Sequence, residues 1–386
     1  MDISDLKIGI DNTFYPPFEA NIKRTKNYEK MGFDSLWFVD HLMNWFPDAI
    51  WTPELVNIAS IMKNPHDLYN VFPTMAIVAN STKKIKIGTG VTETFRHHPA
   101  HLAHMIITLD HFSKSRIILG IGAGERENIV PYGIEWENPV SRLVESIEII
   151  RLLWKEEKKV DFDGKFWKLK DAVLSLKPYR KKKPPPIWIG AHGPKMLELT
   201  GKMGDGWFPF NSNLEEYKDG IKKIQDSAKF HQRDQDEITP AIELIIITDE
   251  NQEECDRMVT QPLIKNQMLT MKDKAFREYG ISHPLGGENF YGALDYIPTT
   301  YDRNTLLDAY EKIPLQMCKD YAISGTPDEV IGKIEEYAKI GAKHIVIFDF
   351  TPIADINKLL ISTDCVKKVL DYFKDSSPKV VQEIEA

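Results

Sequence analysis

The sequence predicts an α/β fold, a (β/α)8 TIM barrel, on three observations. Eight short apolar runs are bounded by Gly or Asp. Segments of helical period separate most of them. The length, 386 residues, accommodates one such barrel with insertions. A buried parallel strand is a near-continuous apolar run, and its return connection is usually a helix. An open doubly wound sheet is the competing arrangement.

The runs cover residues 8–10, 35–39, 85–91, 116–122, 186–190, 206–210, 241–248 and 344–350. Between the first two, residues 18–31 place apolar side chains at three- and four-residue spacing, the pattern of one helix face. Pro99 opens a helix running through Asp110, because proline at the first turn costs no hydrogen bond. Residues 140–154 carry a stronger stripe in Leu143, Ile147, Ile150 and Leu153. Thr326-Pro327-Asp328-Glu329 starts the last helix, with the threonine as its cap.

Two insertions interrupt the alternation. Residues 128–186, after strand four, hold one helix and then DFDGKFWKL, whose Asp163-Gly164 reads as a hairpin turn. Residues 252–321, after strand seven, are rich in Met, Tyr and Pro. There they would lie over the catalytic face as a lid or substrate wall. Met268, Met271, Phe276 and Tyr291 fit either an apolar ligand or a core. Arg180 to Lys183 with the prolines behind them read as a solvated linker, and the charged tail after Phe373 as fraying. With no repeat or low-complexity segment to cut at, residues 1–386 read as a single domain.

Composition narrows the function. A chain 42% hydrophobic and 27% charged is neither disordered nor fibrous, and its formal charge of −8 disfavours a nucleic-acid partner. Cys255, Cys318 and Cys365 share no metal-type spacing and read as packing residues in a reducing compartment. The start MDISDLKIGI is acidic where a signal peptide would be basic, and no run reaches the roughly 18 apolar residues of a membrane span. The expectation is a cytoplasmic protein.

Chemistry in a barrel sits at the C-terminal strand ends. Strand two leads into Asp40-His41, then Asn44 and Trp45, and a carboxylate beside an imidazole tunes proton transfer. Strand three leads into GTGVTET, whose small residues admit a flat ligand or simply make bulges. Strand four leads into GIGAGEREN, which lacks the last glycine of a dinucleotide fingerprint. Its Glu125 is a candidate general acid if burial raises its pKa, or a surface partner of Arg126. Strand five leads into AHGPK at a helix start, where backbone amides bind anions or form an ordinary tight turn. His97, His98, His101, His104 and His111 cluster without a metal-ligand pattern and read as structural or partner-facing, so no metal is expected.

Taken together, MGFDSLWFVDH, GTGVTETFRHHPA, ILGIGAGERENIVPYGIEW, PIWIGAHGPKMLELTGKMGDGW and SGTPDEVIGKIEEYAKIGAKH resemble one family, the luciferase-like flavin and deazaflavin oxidoreductases. The resemblance runs from Lys7 to about Val346. GERENIVPYGIEW with AHGPKMLELTG, ISHPLG and DYIPTTYDRNTL is most similar to the phthiodiolone ketoreductase branch, which resembles enzymes using coenzyme F420. The resemblance implies a deazaflavin lying across the barrel mouth. Its phosphate would lie on Ala191, His192 and Gly193, and Asp40, Thr89, Gly90, Val91 and Asn128 would contact the cofactor. A bulge, often with a cis peptide, is implied near Gly90-Val91. By the same resemblance His41 exchanges a proton with the substrate oxygen, Trp45 walls the substrate and Glu125 protonates or polarises the deazaflavin.

The implied reaction is hydride transfer between deazaflavin and a carbonyl or alcohol carbon, in a homodimer acting on a small, apolar molecule. An FMN-dependent monooxygenase of the same family is the alternative. A metal-dependent barrel hydrolase, resting on the histidines, is a second.

Overall fold

Each apolar run becomes a stave of one closed barrel. The computed structural model describes residues 5–375. The far end of the charged tail, expected to fray, lies outside them. The strands are β1 (Lys7–Asp11), β2 (Ser35–Phe38), β3 (Lys86–Thr89), β4 (Ile117–Ile121), β5 (Val160–Asp163), β6 (Lys168–Ala172), β7 (Ile187–Ile189), β8 (Gly206–Trp207), β9 (Thr239–Thr248), β10 (Ile323–Gly325) and β11 (His344–Asp349). Parallel pairing runs β11-β1-β2-β3-β4-β7-β8, and β9 pairs with both β8 and β11. That last pairing closes the ring and excludes the open sheet.

The helices are α1 (Phe18–Met31), α2 (Val71–Ser81), α3 (Pro99–Ser113), α4 (Pro139–Lys155), α5 (Pro194–Met203), α6 (Leu214–Phe230), α7 (Gln252–Met258), α8 (Pro262–Met268), α9 (Asp273–Arg277), α10 (Arg303–Lys312), α11 (Leu315–Tyr321), α12 (Pro327–Lys339), α13 (Thr351–Ala354) and α14 (Leu359–Lys374). Their ends follow local chemistry. At α12 the Glu329 carboxylate accepts the Thr326 N–H and hydroxyl, closing a capping box. At α3 the cap is His98, whose Nδ1 accepts the Ala100 N–H at 3.2 Å. The Asp163-Gly164 turn does join the antiparallel pair β5 and β6. Absent from the reading of the sequence is β10, which extends the β9 edge but carries only Ile-Ser-Gly, too short for an apolar run.

The barrel interior is aromatic. Trp37 stacks on Phe208 at 4.2 Å and lies 5.1 Å from Trp188, with Ile118, Ala241 and Val346 around them. Such rings fit because neighbouring strands give way: a Cβ on Gly88 would come within 2.6 Å of the Trp37 ring. A larger core lies between barrel and helices.

A second core joins the insertion after β9 to the barrel rim, where Ile245, Ile247 and Phe350 pack with Met258, Leu263 and Tyr296. Met268 and Phe276 are wholly buried there, so these two are core and not a substrate wall. Met271 packs at the edge of that core, whereas Tyr291 is exposed. No helix among the described residues is long and apolar enough to cross a membrane.

Candidate active site at the barrel mouth

Because all barrel strands are parallel, the exits of β2, β3, β4 and β7 open on one face. There His41 Nε2 lies 3.0 Å from Glu125 Oε2, with His41 12% and Glu125 40% exposed. The pair is held from behind. The Asn128 carbonyl oxygen accepts the N–H groups of Leu42 at 2.6 Å and Met43 at 3.0 Å, and its amide donates to Glu127 Oε1 at 2.8 Å. One side chain therefore fastens the histidine loop to the turn that carries Glu125.

The electrostatics differ from the expectation for Glu125. Burial pushes its carboxyl up, but the hydrogen bond and charge of His41 outweigh it and hold the group below its ordinary value. Glu125 is thus an anion at neutral pH rather than an acid. Neither does it pair with Arg126, whose guanidinium bonds Asp295 at 2.9 Å. The raised carboxyl is Glu127, fully buried and pushed well up by that burial and by the charge of Glu125. Two residues earlier or later on a tight turn reverses the role, and no pattern in the sequence distinguishes them.

Asp40 and His41 are neighbours in sequence but not partners. The Asp40 carboxylate is buried among Thr92 Oγ1 at 2.7 Å, His97 Nε2 at 2.9 Å and Arg96 Nη2 at 3.2 Å. Burial alone would raise its pKa; these donors lower it instead. Of the clustered histidines, His97 serves Asp40, His98 caps α3 and His111 bonds the Lys177 carbonyl at 2.8 Å, while His101 and His104 are exposed. They are not gathered at one point.

The floor of the mouth is built of glycines packed closely on the Gly90-Val91 step. The Gly90–Val91 peptide is cis. A Cβ on Gly122 would fall 2.9 Å from Val91, and one on Gly190 3.3 Å from it. A Cβ on Gly120 would meet the Thr89 carbonyl oxygen at 1.8 Å. The Thr89 hydroxyl itself is buried and donates to the Gly120 carbonyl at 2.6 Å, so it offers a ligand only backbone. Beside this floor α5 begins at Gly193-Pro194, leaving the N–H groups of His192, Gly193 and Lys195 outside the helical ladder. Nothing lies within 4 Å of a Cβ built on Gly193. The Ala191 carbonyl accepts Trp207 Nε1 at 2.8 Å, and the exposed His192 ring accepts the Phe210 N–H at 3.3 Å. A glycine floor next to open helix-start amides fits a planar ring with an anionic tail.

Trp45 ties the site to the insertion. Its ring lies parallel to Tyr296 at 6.3 Å, and its carbonyl accepts the Asn266 amide at 3.0 Å. Asn266 Oδ1 in turn accepts the Tyr310 hydroxyl at 3.0 Å and the Tyr296 hydroxyl. Asn266 comes from a segment far along the chain and gives no signal in the sequence, while Asp295 and Tyr296 open the DYIPTTYDRNTL segment, which carries the resemblance without marking either as a site residue. Deeper in the mouth, burial pushes the carboxyls of Asp11 on β1 and Glu243 on β9 up, and the charge of Asp11 raises Glu243 further. A charged residue inside an apolar strand run was the available sign for Glu243.

With this geometry in place, the comparisons with known proteins are specific. The luciferase-like monooxygenase family matches residues 6–344. A phthiodiolone/phenolphthiodiolone dimycocerosates ketoreductase of Mycobacterium bovis (strain BCG / Pasteur 1173P2) is 35% identical over 323 residues, covering 83% of this chain and 84% of that protein. In fold the chain is similar to an F420-dependent secondary alcohol dehydrogenase solved with an F420-acetone adduct, with a TM-score of 0.73 and 22% identity over 96% of this chain and 99% of that one. It is similar also to the coenzyme F420-dependent tetrahydromethanopterin reductase of Methanopyrus kandleri, with a TM-score of 0.72 and 23% identity over 96% and 99%. The chain belongs to the luciferase-like monooxygenase family, a family of (β/α)8-barrel oxidoreductases.

Proposed function

We propose that the protein is a coenzyme F420-dependent oxidoreductase that moves a hydride between the deazaflavin and a carbonyl or alcohol carbon of an apolar small molecule. The observation that carries this reading is the His41–Glu125 pair standing beside a glycine floor and the open start of α5. The deazaflavin, when bound, supplies or accepts the hydride. The amides of Ala191, His192 and Gly193 would hold its phosphate. Gly90 and Val91, with the backbone of Thr89 and Asp40, would line its ring.

His41 exchanges the proton with the substrate oxygen, and the Glu125 carboxylate, 3.0 Å from its Nε2, orients the ring. Trp45 walls the substrate, and Asn128 acts by fixing the His41 loop. Leu42, Val130, Tyr132, Tyr291 and Leu294, all exposed on loops at this end of the barrel, give it an apolar rim suited to a hydrophobic substrate. A homodimer in the cytoplasm belongs to the same reading.

The test is calorimetric and fluorescence titration of the ligand-free protein with oxidised F420 and with FMN in one buffer. Tight F420 binding and weak FMN binding, followed by turnover of apolar ketones or secondary alcohols, is the expected result. The reverse preference moves the reading to a flavin monooxygenase, and binding of neither overturns the ring and phosphate contacts.

A further inference from the structure

Glu127 is fully buried on the turn after β4, beside the reacting pair but with no opening of its own. Oε1 accepts the Asn128 amide at 2.8 Å. Oε2 is buried without a hydrogen-bond donor. Yet one atom each of Glu127, Glu125 and His41 lie within 4.8 Å of one another. Two carboxylates this close, one of them fully buried, disfavour ionising together. The groups that decide which one keeps the proton are His41 from the β2 exit and Arg96 from the β3 exit, both of which favour an anion at Glu125. Tyr132 follows on the next turn, and the Arg126 guanidinium is drawn off to Asp295. Among the described residues no salt bridge reaches Glu127, whose Oε2 has no hydrogen-bond partner.

We propose that Glu127 is a positioning residue that holds a proton at neutral pH and donates it as a hydrogen bond to Glu125, keeping Glu125 an anion directed at His41. The raised affinity of Glu127 for a proton agrees with this arrangement. Only the kinetic consequence rests on the hydride-transfer reading, since the proton is observable in the ligand-free protein.

The experiment has two arms. In the first, infrared difference spectra of ligand-free wild type minus Glu127→Gln are recorded at pH 7 in H2O and D2O. A carboxylic-acid carbonyl band, shifted down in D2O and absent from the variant, is expected. In the second, pH profiles of kcat/KM are compared for two variants. Glu127→Gln keeps a neutral donor and leaves the acid limb in place. Glu127→Leu keeps the bulk without the donor and moves the acid limb up by about one pH unit, so that activity falls about tenfold on the acid side and is unchanged on the plateau.

Absence of the band overturns the proposal. So does an equal shift of the acid limb in both variants, or a stoichiometric divalent ion, released by chelator, that Glu127→Gln no longer holds. If F420 and FMN both fail to support turnover, the infrared arm still decides, and it needs only the glutamine variant should the leucine variant not fold.

Discussion

The carboxamide oxygen of Asn128 accepts the backbone N–H of Leu42 at 2.6 Å across 86 residues of chain. His41 precedes Leu42, and Glu125 shares the turn of Asn128, so this one bond registers the imidazole against its carboxylate. The geometry of the pair therefore depends on a residue whose own side chain is spent inside the protein.

Replacing that residue separates positioning from binding. Asn128→Ala strands the Leu42 and Met43 amides and removes a partner of Glu127. We expect kcat/KM to fall about 10- to 100-fold, as small misplacements of reacting groups do. Unfolding free energy should drop by about 1–3 kcal/mol, while the F420 dissociation constant changes less than threefold. Steady-state kinetics, urea denaturation and calorimetry on one preparation check this, and a cofactor-binding loss as large as the kinetic one would contradict it.

Glu127 and Glu125 should affect stability with opposite signs. A carboxyl raised in the folded state favours folding while protonated, and its penalty grows as pH rises from its unfolded value toward its folded one. Glu127 is of this kind, so Glu127→Gln should gain stability relative to wild type as pH is raised from about 5 to 8, by at most about 1.4 kcal/mol per pH unit. Glu125 is lowered, so its contribution is present above its ordinary 4.5 and disappears as pH falls through its folded value. Glu125→Gln should therefore narrow its gap to wild type in acid. Urea midpoints for both variants, taken from pH 8 down to about pH 3, test the two slopes.

Two glycines of the mouth should part company. A Cβ on Gly120 would press on backbone, 1.8 Å from the Thr89 oxygen, and the strands must move apart. Gly120→Ala should lose several kcal/mol, of order 3. Gly193 has open space and φ −83, so Gly193→Ala should leave the melting temperature within a degree or two. On the anion-site reading it weakens F420 binding several-fold. Thermal melts with and without F420 give both answers.

Asn266→Ala breaks the node joining Trp45 to Tyr296 and Tyr310. A stability loss of about 1–3 kcal/mol is expected from the stranded buried groups. Loosening of Trp45 should raise KM for bulky substrates more than for small ones, measured on a ketone series of increasing chain length.

The positions of all eight barrel strands were legible because a strand buried on both faces must be apolar at nearly every position, and segments such as SLWF and IILGI have no other economical reading. Helix starts at Pro99 and Thr326 were legible because caps are local chemistry. The mouth residues His41, Glu125 and the Gly90-Val91 step stood out at strand ends and by family resemblance. Asn266 did not, since nothing local separates it from other residues of a helical insertion, and Asp295 and Tyr296 stood in a quoted motif with nothing local to give them a role.

By itself the sequence determined the strand-helix alternation, the family and the set of polar residues delivered to one face of the barrel. Only the tertiary structure decided which of them meet: Asp40 turned to Arg96 and His97, and His41 to Glu125. Apolar periodicity is written in neighbouring residues, whereas ion pairing and proton affinity depend on distances and burial between residues tens of positions apart, and these are fixed only once the barrel has closed.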